Sequence, residues 1–155
     1  MLYQEIMIFK ILSILLNILL KVIKILTFGQ CPLLVAVNAI IENEDKKILV
    51  QFRADTHKFC LPGGLTKIGE TLEKAIYREV FEETGFYIKN VYFLFYTDPN
   101  IVSQYVLSEV FQAQIESGQI KNSWEGKAEW KKFSDIKNNM AFNHKEIVER
   151  YLQIK

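Results

Sequence analysis

Polar residues in the first 28 positions fall almost on one line. Lys10, Ser13, Asn17, Lys21 and Lys24 step by three or four residues, the spacing of a narrow stripe on a helix. Ile11, Leu12, Leu15, Leu16, Ile18, Leu19, Val22, Ile23 and Leu26 form the wide apolar face around it. The longest uncharged run, residues 11–20, is short of the roughly 18 to 20 residues of a bilayer span. Three readings stand. The helix lies in a membrane interface with its lysines on the wet side, packs on the rest of the chain or on a second copy, or spans a membrane with snorkelling lysines. No small-residue cleavage site follows, and Gln30 before Cys31 does not suit a lipoprotein signal. Residues 27–32 form a break, with Gly29 suited to a helix C-cap and Pro32 turning the chain out of helical geometry.

Beyond the break the pattern changes period. Residues 33–41 are β-branched and apolar, a buried strand. A turn at Asn43, Glu44 and Asp45 leads to a second strand over 47–53, expected to form a hairpin with the first. Residues 59–61 run into Pro62, Gly63 and Gly64, a sharp turn. The clearest helix covers 71–84, with Leu72, Ala75, Ile76, Val80 and Phe81 as its buried stripe and Gly85 as its stop. Strands are expected over 91–96, ending at Asp98, Pro99 and Asn100, then over 103–115 and 128–133. A last helix starts at Asn143, where Asn143 and Glu146 have capping-box spacing. The pattern predicts one mixed α/β (α+β) domain over 33–155, preceded by an amphipathic helix over 1–28.

Composition narrows the function. The chain has 155 residues and a formal charge of +1, with no basic footprint for nucleic acid. Charge is unevenly placed: residues 1–28 carry three lysines and one glutamate, so the remainder is slightly acidic. Two cysteines, Cys31 and Cys60, make neither a disulfide framework nor a zinc site, so a reduced, cytoplasmic protein is expected.

The acidic residues are concentrated where chemistry is expected. Glu79, Glu82 and Glu83 share one helix face at i, i+3 and i+4, and no basic residue follows them at helical spacing. Three adjacent like charges repel unless a cation sits among them, and oxygen ligands at that density suit Mg²⁺ or Mn²⁺. The alternative is a solvated face held by ion pairs. Arg78, beside Glu79, is placed to orient a carboxylate, and Glu70 lies upstream at the loop–helix junction.

Residues 64–86 read GLTKIGETLEKAIYREVFEETGF. This segment resembles the signature of the Nudix hydrolase family at Gly64, Glu70, Arg78, Glu79, Val80, Glu82, Glu83, Gly85 and Phe86. The resemblance extends more loosely over 33–153 and leaves the N-terminal helix unexplained. It implies a mixed β-sheet sandwiched between helices and hydrolysis of acid anhydrides in phosphorus-containing compounds. It also implies metal ligation by Glu79, Glu82, Glu83 and the Gly63 carbonyl, with Arg78 holding a carboxylate and Glu70 in support. Family members often use one more glutamate outside the signature. Glu125 is the first candidate and Glu129 the second.

Phe95, Tyr96, Asp98, Pro99 and Asn100, with Ala141, Phe142, Asn143 and His144, resemble the ADP-ribose pyrophosphatase-like branch. That favours a nucleoside diphosphate linked to another group as substrate. A nucleotide-sanitising triphosphate pyrophosphohydrolase and a membrane-tethered nucleotide sensor with little turnover are the alternatives. Arg53 is a candidate for phosphate, and Tyr96, Phe59 and Trp124 for a base. His144 is expected to stabilise its turn. A small nucleotide is the expected partner. A membrane surface at 1–28, on its inner face, and a homodimer are the others.

Overall fold

The computed structural model describes residues 2–28, 34–97 and 106–155. The break at 29–32, the turn at 98–100 and the start of the strand expected from 103 lie outside the described residues. The chain divides into two compact units, Met1–Leu33 and Leu34–Lys155. In the first, α1 (Leu2–Leu26) is a single helix of 25 residues. Ile14, Leu15, Ile18, Leu19, Val22, Ile25 and Leu26 on it are exposed. No helix of the described residues is long and apolar enough to cross a membrane.

The second unit runs β1 (Leu34–Ile41), β2 (Ile48–Arg53), β3 (Phe59–Cys60), β4 (Gly63–Leu65), α2 (Leu72–Thr84), β5 (Phe86–Tyr96), β6 (Val106–Gly118), β7 (Gly126–Lys131), α3 (Phe133–Ile136) and α4 (His144–Ile154). A four-stranded sheet has the order β4-β1-β6-β5, and a three-stranded sheet the order β3-β2-β7. The larger sheet is mixed: β1 runs parallel to β6 and antiparallel to β4. Strand β1 is apolar on both faces because both are covered. Val37, Ala39 and Ile41 pack with Ala75, Ile76 and Val80 of α2. Ile40 on the other face packs with Ile147, Val148 and Tyr151 of α4. The sheet is therefore sandwiched between helices, as expected.

Four local expectations are corrected. The first two strands do not form a hairpin beyond an isolated Glu42–Ile48 bridge. Lys46, at φ 60°, closes a tight turn with Asn43, after which β1 and β2 enter different sheets. Strand β5 begins at Phe86, directly after the Gly85 cap, because left-handed Asn90 (φ 49°) and shifts in register interrupt its alternation. Strand β7 starts at Gly126 and ends at Lys131, and Phe133 opens α3 instead of closing the strand. Asn143 precedes α4 in the left-handed region (φ 56°), not the extended one a cap requires, and its side chain makes no cap bond. The capping box does not form.

Candidate active site

Helix α2 is pinned at both ends. Lys74 N donates to Thr71 Oγ1 at 3.3 Å, and Gly85 in the left-handed region (φ 78°) stops the helix. Burial of Ala75, Ile76 and Val80 then decides where the acidic residues project. Glu83 falls at the border of the buried face and is only 3% exposed. Glu82 faces outward, within 3.8 Å of Lys67 and 3.2 Å of Arg78.

Arg78 organises the acidic face with all five of its N–H donors. Nε and Nη2 grip the two oxygens of Glu70, each at 2.8 Å. Nη1 reaches Glu79 at 2.6 Å and Glu82 at 3.2 Å, and Nη2 also donates to the Leu65 carbonyl at 3.2 Å. This chelate pushes the half-buried Glu70 carboxyl down to about 2.

The glycine turn meets the helix from the other side. Gly63 N donates to Glu83 Oε2 at 2.8 Å. A Cβ at Gly63 would stand 2.0 Å from the Val37 carbonyl oxygen, so the turn can approach β1 only as glycine. A Cβ at Gly64 would stand 2.8 Å from the Glu79 carboxyl carbon, so that carboxylate occupies space which the missing side chain leaves free.

Glu125 closes the group from the loop before β7. Its backbone is tied down by Ala54 N to its carbonyl at 2.8 Å and by its own N–H to Ser123 Oγ at 3.2 Å. Fully buried Gln51 holds Ser123 in turn, at 3.1 Å. The Glu125 carboxyl lies within hydrogen-bonding reach of Glu83. Arg53, at the end of β2, points toward this pair, but Asp55 clamps it through Nε at 2.8 Å and Nη2 at 2.7 Å.

Three carboxyls here are pushed above their ordinary range. Burial raises Glu83 to about 8, with Glu125 and Glu79 adding repulsion and Arg53 and the Gly63 amide opposing it. Burial is also the main cause at Glu79, where Arg78 opposes it and Glu82 and Glu125 reinforce it. At Glu125 burial again leads, opposed by Arg53 and reinforced by Asp55 and Glu82. The neighbouring Cys60 thiol is raised to about 12 by burial and by Glu83, and is inert.

The structure therefore brings together Gly63, Arg78, Glu79, Glu83, Glu125 and Arg53, with Glu82 on the outer rim. Glu129 is elsewhere, opposite Val50 in the β2–β7 ladder and paired with Lys131 at 2.7 Å. Tyr96 sits on the far edge of the larger sheet, on the row Gly64, Val37, Glu109, Tyr96. Glu109 accepts its hydroxyl hydrogen bond, and its ring lies 4.8 Å from Phe93. Phe59 packs into the α4 side of the core. Asp55 was not anticipated. Its spacing of two from Arg53, in the turn that follows β2, was the available signal.

Comparison with known proteins identifies the family. The NUDIX domain profile matches residues 32–151. The chain belongs to the Nudix family. An ADP-ribose pyrophosphatase of Methanocaldococcus jannaschii is 33% identical over 127 residues, covering 78% of this chain and 74% of that protein. Among solved structures, a nudix family protein from Chromobacterium violaceum has a TM-score of 0.64 at 28% identity, over 78% of this chain and 77% of that one. A UDP-X diphosphatase has a TM-score of 0.69 at 26% identity, over 81% and 64%.

Nudix hydrolases are generally dependent on divalent metals. The donor set of this Nudix hydrolase fits such an ion: the converging side chains offer only oxygen, and three of them are short of positive charge. Among the described residues no three ligands are already gathered as a finished metal site. Glu79 is turned to Arg78 and Glu83 to the Gly63 amide.

Proposed function

We propose that this Nudix hydrolase cleaves the pyrophosphate bond of a nucleoside diphosphate linked to another group, with ADP-ribose as the favoured class. Glu79, Glu82, Glu83 and the Gly63 carbonyl would hold Mg²⁺, with Mn²⁺ as substitute. The single observation that carries this reading is the pair of buried Glu83 and half-buried Glu125, which Arg53 leaves under-neutralised because Asp55 clamps it. When bound, the metal neutralises the diphosphate and lowers the pKa of a water. Arg78 fixes the aim of Glu79. The Gly63 amide fixes the aim of Glu83. Glu125 is positioned to accept the water's proton at a carboxylate oxygen. Arg53, with Nη1 not engaged by Asp55, is the group for a phosphate oxygen.

The M. jannaschii relative supports the ADP-ribose class. The test is product analysis with Mg²⁺ and the full chain. AMP and ribose 5-phosphate from ADP-ribose are expected. Turnover of nucleoside triphosphates with none of ADP-ribose would favour the sanitising alternative, and tight nucleotide binding without turnover would favour the sensor.

We further propose that residues 1–28 act as a separate element that lies on an anionic membrane surface. Its exposed apolar residues carry no acidic neighbour after Glu5, whereas Lys10, Lys21 and Lys24 share the polar stripe. Co-sedimentation with anionic but not neutral vesicles is expected, and is lost on deleting 1–28. Binding that survives the deletion would overturn this, as would a dimer that the deletion abolishes without any vesicle binding.

A further inference from the structure

The segment from β3 to β4 is held at successive backbone groups by different elements. Phe59 N donates to the Asn139 carbonyl at 2.9 Å, and its own carbonyl accepts from Ala141 N at 2.7 Å. Leu61 N donates to His144 Nδ1 at 2.9 Å. The Pro62 carbonyl accepts from Ala39 N at 2.8 Å, and Gly63 N donates to Glu83. Only Pro62 separates the amide that His144 holds from the amide that holds Glu83. Its ring fixes φ there and the Ala39 bond anchors its carbonyl, so a shift of one amide is passed to the other.

His144 is the first residue of α4 and is 4% exposed. An Nδ1 that accepts requires the neutral ring with its proton on Nε2. Burial, with Arg53 adding to it, pushes its pKa down to about 3 and keeps that form. A residue needed only to fill space there would be apolar, since burying an imidazole carries a desolvation penalty. The imidazole instead satisfies an amide that nothing else in the turn reaches.

We infer that His144 is a positioning residue: through Leu61 it fixes the turn whose Gly63 amide holds the Glu83 carboxylate. Its consequence for turnover rests on Glu83 being a metal ligand, as proposed above, whereas the positioning itself does not. Two polar variants separate this from a packing role. His144→Asn keeps an acceptor oxygen near the place of Nδ1, and His144→Gln moves it toward the place of Nε2.

The experiment is amide hydrogen exchange on the full chain in chelator, followed by Mg²⁺ titration of activity. In His144→Gln, exchange at Leu61 and Gly63 should quicken by about tenfold or more, while Val110 and Phe111 in β6 keep wild-type rates. His144→Asn should stay within about threefold of wild type at all four. Equal Gly63 exchange in His144→Gln and wild type would overturn the inference, as would a uniform increase at all four amides. The half-saturating Mg²⁺ should rise in His144→Gln in step with Gly63 exchange. Faster Gly63 exchange at unchanged half-saturation would uphold the positioning role and count against Glu83 as a ligand.

Discussion

Glu83→Gln should stabilise the metal-free protein at neutral pH and remove its activity. The carboxyl is 3% exposed, and its pKa of about 8 stands against an ordinary value of 4.5. Between those two values the native state keeps a proton that the unfolded chain has released. The native state therefore binds more protons, and its stability falls as pH rises through that window. Integrated to pH 8, the loss is on the order of 4 kcal/mol from this one group. Glutamine has the same shape, is neutral throughout, and still offers an oxygen to the Gly63 amide. Its NH₂ can donate to Glu125 where the shared proton was. Urea unfolding in chelator at pH 5 and pH 8 reads the effect, provided the m-value is unchanged. Wild type should lose stability between the two, while the variant loses much less and becomes the more stable at pH 8. With saturating Mg²⁺ its turnover should fall at least about a hundredfold, because a proposed ligand is gone. A variant no more stable than wild type at pH 8 in chelator would refute the electrostatic argument, and near-normal turnover would refute the metal role.

Mg²⁺ binding should release about one proton near pH 7, since the Glu83–Glu125 pair gives up the one it shares; calorimetry in buffers of different ionisation enthalpy measures it. Gly64→Ala should fold with little loss but raise the half-saturating Mg²⁺, because its Cβ displaces the movable Glu79 carboxyl. Gly63→Ala should be poorly folded by circular dichroism, because its Cβ meets the Val37 backbone at 2.0 Å. Glu125→Gln should cut turnover steeply and Glu129→Gln hardly at all, a steady-state comparison that tests the choice between them. Below pH 6.5 the neutral His144 should cost stability, because the unfolded chain takes up a proton that the native ring refuses. Between pH 7.5 and 5.5 that amounts to about 1 kcal/mol, absent in His144→Asn.

Features set by local spacing were legible in the sequence. The 3.6-residue period, Thr71 and Gly85 place α2, and with it the face shared by Glu79, Glu82 and Glu83. What depends on distant partners was not legible. The division of β1 and β2 between two sheets is decided by β4 and β6 on one side and by β7 on the other, all distant in the chain; only β3, the other partner of β2, follows it directly. Asn143 and Glu146 have capping spacing, but bonds from Ala141 to Phe59 and from Leu61 to His144 hold that corner in another backbone region. Glu125 and Glu129 are nearly indistinguishable as letters in WEGKAEW. Only the end of the β2–β7 ladder, where Ala54 grips the Glu125 carbonyl, separates a residue beside Glu83 from one along the strand.

The two arginines near the site bear on the choice between a stabilising ion-pair network and the metal role proposed above. A network serving stability would place its guanidinium groups against the most buried carboxylate, where a missing charge is most costly. Here Arg78 directs its two-pronged grip to half-buried Glu70, and Arg53 directs its own to Asp55. Glu83 receives the Gly63 amide and remains well above its ordinary range although Arg53 opposes the shift. The arginines therefore set geometry and leave the charge deficit in place. On the metal role proposed above, a cation would meet carboxylates already aimed and not yet neutralised. Arg78→Lys tests this division of labour: a lysine keeps the charge but cannot supply five directed donors. Turnover at saturating Mg²⁺ should fall at least about tenfold while thermal stability changes little. A lysine variant with wild-type turnover would show that charge alone suffices and that the aim of Glu79 does not depend on the guanidinium.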